Sequence, residues 1–368
     1  MKFPGRRNKK HYFPVSDKSR QEKEITKKID DIYIVGIDQL LVDIEMEVSD
    51  EFLTKYDFQK GQSFLIDDDL ADEVYNLCKK ENMIRGEFPG GAVGNTLHNF
   101  AVLSDAHCFA LGSIKKEIHV GDYAFKYLSK TSGLVDMSYL MPSDKPMGRA
   151  LCFITPDHER TFAISKGCMN DLTPNYIPEE KLKSSAALLV SAYTLRNEED
   201  AIYQATSHAC KIAKENKVPV VLSLGTSQLV LDKNDFIKDF CKEYVTVLAM
   251  NHQEAIAYCG EEDPLLAIDK ILSDVDMVML TVGEKGLYIG GYCDEENLRP
   301  TKDPLVTKSI VNYNANEYSR PMKKNNCKNP TKIFTHVNPY QGGPKIIKNT
   351  NGAGDAALSA LLHDISAN

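Results

Sequence analysis

Short runs of apolar, strand-forming residues recur along this chain at 32–35, 108–111, 151–155, 162–164, 188–192, 218–222, 245–249 and 277–281. Between most of them lie stretches whose apolar residues return at helical spacing, near 122–132, 197–215, 234–243, 252–259 and 264–273. That alternation predicts crossover units and a mostly parallel sheet covered on both faces, an α/β fold. One pair breaks the rhythm. The runs at 151–155 and 161–165 are separated only by Pro156, Asp157, His158, Glu159 and Arg160. This predicts a hairpin, and with it a small β layer beside the main sheet.

Several turns in this pattern carry candidate chemistry. Asn351, Gly352, Ala353, Gly354 and Asp355 follow the apolar pair Ile346 and Ile347 and open a helix predicted over 356–365. Glycines there let a ligand approach the backbone closely, and the unpaired N–H groups of a helix start favour an anion. Asp355, in the first helical turn, either complements the helix dipole or takes a proton from a nucleophile attacking a bound phosphate. A second glycine turn, Gly90 and Gly91, precedes a helix predicted over 95–103, where Asn95 could donate to and accept from a hydroxyl. Asp38, Gln39 and Asp43 lie past the carboxyl end of the first strand, where a parallel sheet has its ligand crevice. Asp43 offers two acceptor oxygens to a vicinal diol. Arg196 lies beyond a later strand by the same rule. Asn251 and Glu254 have the spacing of a helix cap, which also suits Mg²⁺ held through water. Thr281, Gly283 and Gly286 form a tight turn between strands. Taken singly, each of these features has a structural explanation as well.

Composition narrows the classes. With 368 residues the chain can bury a large core, and 44 basic against 52 acidic residues give a net charge of −8. That balance is not the basic footprint of a nucleic-acid binder. The nine cysteines are scattered without a C-x-x-C pair, which argues for reduced thiols in a cytoplasmic protein. No run has the length of a membrane span. Residues 1–30 form a polar, basic extension in which Arg6, Arg7, Lys9 and Lys10 surround His11, Tyr12, Phe13 and Pro14. It is expected to be a largely solvated tail whose aromatic middle docks.

Taken in order, Asp43, Gly90 and Gly91 with Asn95, Asn251 with Glu254, Thr281 to Gly286, and Asn351 to Asp355 resemble the motifs of the ribokinase-type (PfkB) carbohydrate kinases. The resemblance runs from end to end and is closest to the branch that acts on inosine and guanosine. It implies a ribokinase-like three-layer α/β/α core with a β lid, with lid parts near 43–50, 106–120 and 148–166. It also implies ATP-dependent phosphorylation of the 5′-hydroxyl of inosine and guanosine to IMP and GMP in purine salvage. On that resemblance Asp355 is the catalytic base and Gly352, Ala353 and Gly354 the anion hole. Asp38, Gln39, Asp43, Gly90, Gly91 and Asn95 face the substrate, and Arg196, at the crevice mouth by the strand-end rule, is a candidate purine or phosphate contact. Asn251, Glu254, Thr281, Gly283 and Gly286 serve the nucleotide, with Glu254 reaching Mg²⁺ through water. K⁺ is a further cofactor in many such kinases. The partners implied are small molecules, with neither nucleic acid nor membrane, and a homodimer is compatible.

Three departures qualify the resemblance. Asn349 stands where many relatives carry Asp. The segment 293–345 is long, with a basic cluster at Arg320, Lys323, Lys324 and Lys328, and reads as an insertion. The sequence ends thirteen residues after Asp355, where family members continue through further helices, so it reads as C-terminally incomplete. On that reading Leu358, Leu361 and Leu362 should be partly unshielded. The alternatives are therefore a sugar kinase sharing the same core, or a nucleoside-binding chain with impaired catalysis. A Rossmann dehydrogenase is disfavoured, since no G-x-G-x-x-G opens the first helix.

Overall fold

A computed structural model describes residues 32–302, 309–310, 313–317, 319–339 and 352–367. The basic extension at 1–30, Ile346, Ile347, Asn349 and Asn351 lie outside the described residues.

The strands Ile34–Ile37, Cys108–Leu111 and Ala187–Ser191 are buried at every position. This explains why their sequences lack polar alternation: both faces are covered. They belong to a nine-stranded sheet. Its order is Pro330–Val337, Leu287–Asp294, Met277–Thr281, Val247–Asn251, Val220–Ser223, Ala187–Ser191, Ile34–Ile37, Cys108–Leu111 and Val135–Asp136. Pairing is parallel from Met277–Thr281 through to Val135–Asp136 and antiparallel at the two strands beyond. Alternate residues feed two cores, one on each face. Val35, Leu188, Leu222 and Leu248 belong to one; Ile34, Leu189, Val221 and Val247 belong to the other. Helices cover both faces, giving the three-layer arrangement expected.

A second, five-stranded sheet runs in the order Ser63–Ile66, Arg160–Ser165, Gly148–Ile154, Leu41–Glu47, Ile84–Gly90. Gly148–Ile154 and Arg160–Ser165 are the expected hairpin, antiparallel with Phe153 opposite Thr161. In Leu41–Glu47 the period of two is clear: Val42, Ile44 and Met46 are buried in a core shared with the helices, while Leu41 and Asp43 look the other way. The stretch near 106–120 is not part of this sheet. Cys108–Leu111 is in the main sheet, and Ser113–Lys115 pairs with Met141–Ser143 in a separate two-stranded ribbon.

Two other expectations need correction. Part of the segment 293–345 is sheet: Pro330–Val337 pairs along its length with Leu287–Asp294 at the edge of the main sheet. Its basic cluster is tied down, with Lys324 N–H donating to Asp276 and Lys328 N–H to Asp294, each at 2.8 Å. The helix Ala353–Ala367 is not left unshielded either. It packs against Ala92–Ser104, and Leu358, Leu361 and Leu362 are 2%, 8% and 0% exposed. Val93, Leu97 and Phe100 of the partner helix share their core, so the covering surface comes from upstream in the chain.

Candidate active site

The carboxyl ends of five parallel strands open on one cavity of about 920 Å³, roofed on one side by the second sheet. Asp38 follows Ile34–Ile37, Tyr193 and Arg196 follow Ala187–Ser191, and Ser223, Asn251 and Thr281 end the next three strands. The crevice therefore lies where strand direction places it.

Two helix starts meet across it. Ala92–Ser104 begins three residues earlier than its sequence suggests, with Gly91 as N-cap at φ +101°. Only glycine serves there. A Cβ would stand 2.3 Å from Asp38 Oδ2, and the positive φ disfavours any side chain. Asn95 thus sits inside the first turn, its N–H donating to the Gly91 carbonyl at 3.0 Å. Opposite, Gly352 at φ +74° leads into Ala353–Ala367 and places Asp355 in its first turn. Asn95 Nδ2 donates to Asp355 Oδ2 at 3.3 Å.

Four carboxylates that line this cavity are buried enough for burial to raise the pKa of each. Asp355 is pushed up to about 6 by burial, with the Asn95 hydrogen bond opposing. Asp43 is also pushed up to about 6, by burial and then by the charges of Glu45 and Asp355. Asp38 rises to about 7 despite accepting N–H bonds from Gly94 at 2.8 Å and Gln39 at 2.9 Å, because it is only 3% exposed. Glu254 rises by burial, opposed by the Asn251 amide and assisted by Asp355. Against these and Asp232, the lining supplies two cations, Arg196 and Lys233. A polyphosphate entering so acidic a cavity would need a cation with it.

Asn251 and Glu254 form a full capping box. Asn251 Oδ1 accepts from Glu254 N–H at 2.9 Å, and the Glu254 carboxylate accepts from Asn251 N–H at 2.9 Å and from its Nδ2 at 2.7 Å. Both still line the cavity, so the cap and the site coincide. Thr281 lies beside Asn251 in register. Gly283 and Gly286 do not line the cavity. They shape the turn after Thr281, and a Cβ on Gly286 would meet the Val337 carbonyl at 2.4 Å. Gly90 and Ala353 are likewise off the lining, whereas Gly91, Gly352 and Gly354 are on it. Arg196 is at the exposed rim, its guanidinium 5.3 Å from the Tyr193 ring centre.

Sequence reasoning missed the apolar wall. Ser63, Phe64 and Leu65 come from a four-residue edge strand that the pattern did not single out, and Ile164 and Met169 complete it. The run Phe64, Leu65, Ile66 was the available signal. It also missed Lys233, which no motif marks.

The pfkB family carbohydrate kinase profile matches residues 68–304. Guanosine-inosine kinase of Escherichia coli (strain K12) is 45% identical over 371 aligned positions, which cover 100% of this chain and 86% of that protein. Adenosine kinase of Saccharomyces cerevisiae is 24% identical over 238 residues, 61% of this chain and 65% of the yeast protein. Among solved structures, the adenosine kinase from Sinorhizobium meliloti superposes with a TM-score of 0.68 at 19% identity, over 92% of this chain and 88% of that one. That last likeness speaks to the fold alone. The family profile and the identity across the whole length place this chain in the pfkB family of carbohydrate kinases.

Proposed function

We propose that this chain transfers the γ-phosphoryl group of ATP to the 5′-hydroxyl of guanosine and inosine, giving GMP and IMP for purine salvage. What carries the reading is Asp355 at a glycine-rich helix tip, in one cavity with Asp43 and Asn95, in a chain 45% identical to a guanosine-inosine kinase. Membership of a kinase family brings ATP as phosphate donor and usually a divalent metal.

In this mechanism Asp43 accepts from the ribose hydroxyls and Asn95 adds a polar contact, which orients the 5′-hydroxyl toward Asp355. Asp355 takes the hydroxyl proton as the O5′–Pγ bond forms. The bond from Pγ to the β–γ bridging oxygen breaks, and ADP leaves with that electron pair. A pKa of about 6 makes Asp355 a stronger base than a solvated aspartate while leaving it mostly ionised at neutral pH. The N–H groups at the helix start, at Gly352 and Gly354 on the lining, stabilise charge on the transferring group. The second sheet acts as the lid that excludes water.

Mg²⁺ suits the donor set. Glu254 already accepts through both oxygens from Asn251, and among the described residues no three metal-ligating side chains cluster. An ion held mainly by water and phosphate, with Glu254 reaching it through water, matches that arrangement. When bound, it would neutralise phosphate charge.

The test is a phosphorylation assay in which inosine, guanosine, adenosine, ribose and fructose compete. Guanosine and inosine should be preferred, and Asp355→Asn should lower kcat by about 10²–10⁴-fold while guanosine still binds. Preference for a free sugar, or undiminished turnover by the variant, would sink the proposal.

A further inference from the structure

The acceptor side of the cavity has few polar side chains. With Asp43 and Asn95 on the ribose and Asp38 bonded to the amides of Gly94 and Gln39, Gln39 is the buried polar side chain left to meet a base. Its surroundings suit a flat apolar ring: Phe64, Leu65, Ile164 and Met169 line the same side.

The Gln39 carboxamide has one orientation, and residues outside the cavity fix it. Asp200 is acceptor-only when ionised, so Asn170 must present its amide nitrogen to Asp200, at 2.8 Å from Oδ2. Asn170 Oδ1 therefore faces Gln39 and accepts from Gln39 Nε2 at 2.5 Å. The direction of each bond in this chain follows from the carboxylate at its end, which removes the usual ambiguity of amide flips. The Asp200 side chain turns away from its own helix. Although it is the N-cap of Ala201–Glu215, its side chain does not cap that helix; Oδ1 accepts from Asn197 at 3.2 Å and Oδ2 from Asn170. Gln39 Oε1 accepts nothing among the described residues, yet it is not sealed in the interior, so it opens on the cavity.

We propose that Asn170 and Asp200 are positioning residues that lock the Gln39 carboxamide, so that the acceptor pocket selects purine nucleosides with a 6-oxo group and an N1 hydrogen over 6-amino ones. The proposal rests on the nucleoside reading above. A 6-oxo purine offers N1–H to Oε1 and its O6 to the remaining Nε2 hydrogen. A 6-amino purine turns a bare N1 acceptor toward Oε1. A free carboxamide would rotate half a turn to suit it, and a locked one cannot, so the wrong base leaves buried polar groups unpaired.

The experiment compares kcat/KM for inosine and adenosine in the full chain and in Asp200→Asn, Asn170→Asp and the double variant, with thermal melting as a check on folding. Asp200→Asn should lower the inosine-to-adenosine ratio by about tenfold or more, since it removes the carboxylate that fixes the Asn170 amide. Asn170→Asp keeps an acceptor toward Gln39 Nε2 and should leave the ratio within about threefold. In the double variant the carboxylate at 170 again accepts from Gln39 and from the new amide at 200, so the ratio should return to within about threefold of the unaltered protein. A ratio unmoved by folded Asp200→Asn, a double variant that melts normally without recovery, or equal use of both nucleosides by the unaltered protein overturns the proposal. If the single variants do not fold, binding of inosine and adenosine to Gln39→Leu decides, and equal losses for the two overturn it. Failure of the unaltered protein to phosphorylate any nucleoside would instead defeat the functional reading, so the two failures are distinct.

Discussion

Asn95 donates from Nδ2 to Oδ2 of Asp355 at 3.3 Å across 260 positions of chain. The bond joins two helix starts that pack side by side, one after each glycine turn, so the residue proposed to face the ribose also steadies the proposed base. Asp38, Asp43 and Glu254 each feel the charge of Asp355, so these carboxylates titrate as a network around that contact.

The activity should have an acid limb set by Asp355. A base with a pKa of about 6 is protonated below that pH, so kcat for inosine falls as pH drops through about 6. The Asn95 bond favours the charged form, and Asn95→Ala should therefore move the midpoint upward. A pH–rate profile of the two proteins checks this; an unmoved midpoint would separate Asn95 from the base.

The two glycine turns should respond differently to alanine. Gly91→Ala puts a Cβ 2.3 Å from Asp38 Oδ2 at φ +101°, and should cost roughly 2–4 kcal/mol in denaturant unfolding. Gly354→Ala meets nothing within 4 Å. Its stability should stay within about 1 kcal/mol, so a fall in kcat there would report on the phosphate path rather than on folding.

Stability should fall as pH rises through neutrality. Asp38 has a folded pKa of about 7 against an ordinary 3.8, so the folded state holds a proton that the unfolded chain has released. Its contribution is complete below the unfolded pKa and is lost as pH climbs through about 7. Between pH 5 and pH 8 this amounts to roughly 2–4 kcal/mol, and Asp38→Asn should flatten that slope in chemical denaturation.

The layered α/β core was legible from the chain because its strands are buried on both faces and leave unbroken apolar runs between helical stretches. The hairpin around Arg160 was legible too, since five residues leave room for nothing else. The edge strands Ser63–Ile66 and Pro330–Val337 were not. Half-exposed and short or polar, they carry little periodicity, and only their partners make them strands.

By itself the sequence determined which residue types stand at each turn: glycines where φ must be positive, a carboxylate in a first helical turn, an amide four residues after a glycine pair. Only the tertiary structure decided which of them meet. It brought Asn95 to Asp355, covered Leu358 and Leu362 with a helix from far upstream, and bound Gln39 through Asn170 to Asp200. The reason is range. Turn and capping chemistry acts within four or five residues and is written locally, whereas burial, charge coupling and amide orientation depend on neighbours that arrive only when the sheet brings distant strand ends to one crevice.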